Sequence, residues 1–266
     1  HPQINFLNTI KNERNKNFYD LFIEPDNINF NIENFYKYFF KNFQYNDDKY
    51  LNLICDENLT GHSWTGRGSY DLMNRIKLIS PNSKIIISIR RQDEMLKSLY
   101  SNYIISGGTF SLKRLINDVN HEGHLIFKKL EYHHLIQKYL NLFGEENVFI
   151  YKYEDFKKNP ILILKKIFKF LGLIYNPSIE KKLSTKINIS TNSFSRFFIR
   201  MSNISYLTYK HSYIFRKFDK FSLKSSKKLD NVISDKVINN WRNSNSILNN
   251  IRDLDLDAED YFFKQY

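Results

Sequence analysis

Cysteine is almost absent from this chain: Cys55 is the only one in 266 residues. A lone cysteine excludes an intrachain disulfide and is the usage expected of a reducing, cytoplasmic compartment. Glycine (8) and proline (5) are also scarce, which argues against a loop-rich β protein and against a long disordered linker. No apolar run approaches the ~18 residues that a membrane-spanning helix needs. The best, "ILILKKIFKFLGLI" (161–174), is broken by lysines and reads as an amphipathic helix. Acidic residues number 28 against 40 Lys and Arg, a formal charge of +12. That excess suits an anionic partner: a nucleotide, an acidic glycan, a nucleic acid or a membrane surface. Lys, Asn and Ile crowd the chain as they do in proteins of AT-rich genomes, so charge alone does not choose among these.

What is present is a large apolar and aromatic complement, 42% and 16% of residues, enough for a real core. Three short runs read as buried strands: "YLNLIC" (50–55), "KIIISIR" (84–90) and "NVFIYKY" (147–153). Helical spacing recurs at 31–43, 70–79, 92–106, 111–119, 125–143 and 160–173. Strands alternating with helices imply an α/β fold, a parallel sheet covered on both faces. After about residue 176 strand signals stop, and the rest reads as helices and loops rich in basic and aromatic residues. The expected division is an α/β core over 1–176 and a helical C-terminal part of the same domain over 177–266.

The stretch "KIIISIRRQDEMLKSLYSNY" (84–103) carries the strongest chemistry. In an open parallel sheet, ligands bind at the carboxyl ends of strands. Arg90 and Arg91 stand at such an end, and the following helix offers its N-terminal amides to an anion. Ser98 follows two turns on, with a hydroxyl to donate. An arginine fork matches phosphate oxygens two at a time. A pair of solvated charges at a strand end fits the same residues.

The segment "IIISIRRQDEMLKSLYSNYI" resembles the 3′-phosphate-binding segment of sulfotransferases that use 3′-phosphoadenosine 5′-phosphosulfate (PAPS). Arg90 and Ser98 match its arginine-to-serine spacing. A proline commonly stands where Gln92 does. "NVFIYKYEDFKKNPILILKKIFKFLGL" (147–173) resembles a later strand of that family, its Tyr-Glu-Asp turn at Tyr153, Glu154 and Asp155, and a helix ending Phe-Leu-Gly. The tail "SNSILNNIRDLDL" (244–256) resembles a common ending of bacterial members. The resemblance covers about residues 50–175 and implies a P-loop-kinase-like α/β fold. It further implies transfer of a sulfuryl group from PAPS to a hydroxyl or amine of an acceptor, leaving 3′,5′-adenosine bisphosphate. Arg90 and Ser98 would hold the 3′-phosphate and Tyr153 would lie near the adenine. Asn188 and Ser190, in "INISTNSF" (187–194), would touch the nucleotide's 3′ side.

The family's 5′-phosphosulfate loop, of the form Lys-x-Gly-Thr-Thr, is not found. "LTGHSWTGRGS" (59–69) lacks its lysine and follows a different strand. "HPQINFL" resembles what usually follows that loop's helix, and no initiator methionine or signal peptide precedes it. The expectation is an N-terminally truncated chain missing about twenty residues, a strand plus a loop, and binding PAPS poorly as given.

Transfer needs a base for the acceptor's proton. Glu57, just after the first strand run, resembles the family's glutamate base. His62 is the second candidate, since imidazole titrates near neutrality, and Asp56 is a competitor. A carbohydrate acceptor, as in polysaccharide modification, is expected from kinship and charge. "HEGH" (121–124) has the wrong spacing for a helical zinc motif, so no metal is expected. "FSRFFIRMSNISYLTYKHSYIFRKFDKF" (194–221) interleaves cations with aromatics; packing fits it best, and peripheral membrane contact also fits. Nucleic acid is not an expected partner. Two other classes are compatible with parts of the pattern. A P-loop nucleotide kinase would need a Walker lysine. A non-catalytic glycan- or nucleic-acid-binding protein would show salt-sensitive binding.

Overall fold

The computed structural model describes residues 4–7, 18–42, 51–62, 64–117, 123–180, 233, 235–252, 254–256 and 261–262. Four strands lie among them: β1 (Ile4–Leu7), β2 (Leu51–Ile54), β3 (Ile85–Ile89) and β4 (Val148–Lys152). Helices α1 (Ile32–Asn42) and α2 (Ser69–Ile79) flank β2 in sequence, and α3 (Gln92–Ile105) follows β3. Then come α4 (Leu112–Asn117), α5 (Gly123–Lys129) and α6 (Tyr132–Phe143). After β4 stand α7 (Tyr153–Lys158) and α8 (Pro160–Leu171), and α9 (Asp235–Ile251) lies near the C-terminus.

β1 pairs parallel with β2, Ile4 opposite Leu51 and Leu7 opposite Ile54, and β3 pairs with β4. The α/β class with parallel strands is therefore as expected, and β2, β3 and β4 fall on the expected runs. β1 does not: the reading from sequence found no strand in "INFL", which at four residues has no periodicity of its own and is defined by its partner. The segment expected as one helix over 125–143 is two. The Leu130 amide bonds both Ile126 O and Phe127 O, and Glu131 N bonds Lys128 O, the tightened turn that ends α5. Residues 181–232, with Asn188, Ser190 and the 194–221 segment, lie outside the described residues.

The chain forms two compact units. The first comprises His1–Ile87, Gln137–Ile150 and Ile161–Ile179. Its aromatic core comes from helical spacing: Phe35, Tyr38 and Phe39 of α1 meet Phe18, Phe22 and Leu72. The Phe22 and Phe35 rings are 5.0 Å apart. Arg75 of α2 is buried here, with its guanidinium capping the carbonyls of Phe22 and Pro25 at 2.7 Å each. Its Nε has no hydrogen-bond partner among the described residues, but the two carbonyl bonds fix the turn at Tyr19–Ile23.

The second unit comprises Ser88–Ile136, Tyr151–Pro160 and Glu180–Tyr266. Leu96, Leu99 and Ile104 of α3 are buried in it, as are Trp241 and Leu248 of α9. Trp241 is fully buried and donates its indole N–H to Phe127 O at 3.3 Å. No helix among the described residues is long and apolar enough to cross a membrane.

Candidate functional site

In the second unit the chain leaves β3 at Ile89 and enters α3 at Gln92, so Arg90 and Arg91 form the corner. The two arginines have different employment. Arg91 is committed: its Nε and Nη2 reach Asp93 at 2.6 and 3.1 Å. Arg90 spends one nitrogen, Nη2, on Glu94 at 3.2 Å. Its Nε is buried and has no hydrogen-bond partner among the described residues. A buried unpaired donor is costly, and a hydrogen-bond acceptor brought to this corner would satisfy it.

Two tyrosines shape this corner. The Tyr132 hydroxyl donates to Arg90 O at 2.8 Å. The Tyr153 ring lies under the Arg90 guanidinium, 5.2 Å from Cζ, and also faces Lys157 Nζ at 5.3 Å. A cation over an aromatic face is held by the ring quadrupole. Burial pushes the Tyr132 hydroxyl well above its ordinary range, so it stays a donor.

Ser98 is half-buried on α3, one turn beyond Glu94 and hence on the same helical face. By contrast, the Ser101 hydroxyl turns back to Lys97 O at 2.8 Å. Glu94 also accepts from Lys97 Nζ at 2.8 Å. Burial works to raise its pKa, but the hydrogen bond and charge of Lys97, with Arg90, outweigh it and hold the carboxyl below its ordinary value. Glu94 is therefore ionised beside the arginine. Its place was legible as the i+4 partner of Arg90, a signal that the sequence reading did not use.

The predicted acid–base residues lie in the first unit. Asp56 caps the turn at Glu57–Thr60, accepting from Asn58 N at 2.8 Å, and takes the Tyr19 hydroxyl on its other oxygen. Burial, then the Asp56 bond, raises the Tyr19 pKa to about 12. Glu57 is exposed. His62 Nδ1 lies 3.2 Å from Thr65 Oγ1, which also accepts from Arg67 N. His62 helps line a cavity of about 610 Å³ with Tyr19, Asn58, Arg67, Asp71 and Arg75. Glu57 is not among the lining residues. Cations, carboxylates, an amide and a phenol together suit a ligand that both donates and accepts hydrogen bonds, as hydroxyls do.

Among the described residues no group of three or more His, Cys, Asp and Glu side chains could hold a metal. His133 Nδ1 meets Ser244 Oγ at 2.8 Å, and His134 faces Glu131 at 3.3 Å. His121 lies outside the described residues.

Comparison with curated proteins gives no match. A crystal structure of a sulfotransferase from Alicyclobacillus acidocaldarius is similar to this chain, with TM-score 0.45 and 17% identity over 81% of this chain and 90% of that one. The sulfotransferase domain family matches residues 70–240. That match spans more than half of the chain, including the Arg90 corner, α7 and α8, and the chain belongs to the sulfotransferase domain family.

Proposed function

We propose that this protein transfers a sulfuryl group from PAPS to a hydroxyl or amine of an acceptor, a carbohydrate. The observation that carries this reading is the Arg90 guanidinium at the end of β3, with a buried Nε that lacks a partner among the described residues. Family membership favours sulfuryl transfer over the kinase and the non-catalytic binder.

PAPS, when bound, supplies an activated sulfuryl group and a bisphosphate leaving group. Arg90 would grip the 3′-phosphate through Nε and a terminal nitrogen, and Ser98 would donate its hydroxyl to the same group. Tyr153, already under Arg90, would meet the adenine side. Arg91 stays on Asp93. Of the two predicted bases, the cavity supports His62 over Glu57, because His62 lines it. If the Nδ1 proton is the one shared with Thr65 Oγ1, His62 Nε2 holds the lone pair that a base needs. No metal is part of this reading.

Calorimetry with 3′,5′-adenosine bisphosphate tests the assignment. Wild-type chain should bind through the 3′-phosphate, even with the 5′ group held poorly, and Arg90→Ala should lose ~1.5–3 kcal/mol of affinity, the worth of charged hydrogen bonds. Equal affinity in the two proteins would remove the phosphate role.

A further inference from the structure

The residues around the Arg90 corner are tied to the far end of the chain by a closed circuit of hydrogen bonds within the second unit. Arg91 N donates to Glu154 Oε1 at 3.2 Å. The other Glu154 oxygen accepts from the Tyr261 hydroxyl at 2.7 Å. Tyr261 O accepts from Asn245 Nδ2 at 2.8 Å. Asn245 Oδ1 accepts from Gln92 Nε2 at 2.6 Å, and Asn245 Nδ2 returns a bond to Gln92 Oε1 at 3.2 Å. Gln92 Nε2 also reaches Leu130 O at 3.4 Å. Both amides thus use both N–H donors and bond their carbonyl oxygen once, and both are fully buried.

Gln92 stands where the resembled phosphate segment commonly has a proline. The amide it carries instead is what reaches α9. A buried, reciprocally paired amide is directional where apolar packing is not, so it fixes one arrangement of the corner. Arg90 sits between this circuit and the Tyr132 bond to its own carbonyl.

We propose that Gln92, Asn245 and Tyr261 are positioning residues for the donor-nucleotide phosphate site, with α9 and the segment after it holding the corner that aims Arg90. This inference rests on the assignment of Arg90 to the phosphate. It extends that assignment to residues more than 150 positions away in sequence that would not touch the nucleotide.

The test is a double-mutant cycle on adenosine bisphosphate affinity, read by calorimetry on the full chain. Tyr261→Phe removes a single hydroxyl and keeps the buried ring, so it should preserve the fold, checked by thermal unfolding. Alone it should weaken binding about fivefold, and in the Arg90→Ala background by less than about twofold, because it acts through Arg90. Amide hydrogen exchange at Arg91 should quicken in Tyr261→Phe. Asn245→Ala, a harsher change, should follow the same pattern if it folds.

If Arg90→Ala weakens binding but Tyr261→Phe does not, the positioning role is overturned and the phosphate assignment stands. If Tyr261→Phe costs the same factor in both backgrounds, its effect is general and the role is again overturned. If wild-type chain fails to bind the bisphosphate, the phosphate assignment itself fails and the positioning role falls with it.

Discussion

The Arg90 guanidinium stands 5.2 Å from the centre of the Tyr153 ring, although 63 residues separate the two in sequence. The corner after β3 and the start of α7 just after β4 therefore contribute to one cluster, and the two segments that resemble a sulfotransferase meet in space. The pairing also leaves Arg90 poised, with one nitrogen on Glu94 and a second without a partner among the described residues.

Glu94 holds one Arg90 nitrogen, which on the proposed reading the phosphate would have to share. Glu94→Gln should tighten adenosine bisphosphate binding by about 1 kcal/mol, since a like charge is removed next to the phosphate. Arg91→Ala should change affinity by less than ~1 kcal/mol, the usual worth of a partly exposed ion pair such as Arg91–Asp93. Calorimetry on the two variants measures both, and a larger loss from Arg91→Ala than from Arg90→Ala would exchange their roles.

His62→Gln should lower kcat about 100-fold or more, the lower end of what general-base catalysis contributes. Glu57→Gln should leave kcat within about threefold. Steady-state rates with PAPS and a carbohydrate acceptor read this directly. The opposite pattern would return the base to Glu57.

Gly61→Ala should destabilise the first unit by about 2 kcal/mol or more, through positive φ and collision together. Gly61 has φ +82°, and a Cβ there would lie 2.5 Å from Gly66 O and 2.6 Å from Arg67 O, both backbone atoms. Those atoms belong to the loop that carries His62. Thermal unfolding of the variant measures the loss.

His133 gives the second unit a pH dependence with a definite sign. Burial, then the neighbouring His134, lowers its pKa below the ordinary 6.5. The unfolded chain therefore takes up the proton more readily than the folded one. The contribution is complete above about pH 6.5 and is lost as pH falls through the folded value. Unfolding midpoints between pH 7.5 and pH 5 should fall less steeply in His133→Gln than in wild type, an effect kept modest by the ring's partial exposure.

Much of this was legible in the sequence. "IIISI" is a strand because its β-branched residues favour one, and the α1 and α8 patterns repeat at helical spacing. Arg90 and Ser98 stood out by their spacing after that strand. Other features carried no local signal. β1 exists only beside β2. The break between α5 and α6 falls inside an unbroken apolar pattern, and Tyr132, just beyond it, meets Arg90 O.

By itself the sequence determined the family, the strands β2 to β4 and the arginine corner after β3, because these depend on side-chain periodicity and motif spacing. Only the tertiary structure decided which arginine keeps a donor in hand and that Glu94 stands beside it. It alone joined Gln92 to Asn245 and His62 to a cavity wall. Such choices are made by hydrogen-bond partners that folding brings together across long separations, and no local pattern encodes a partner that far away.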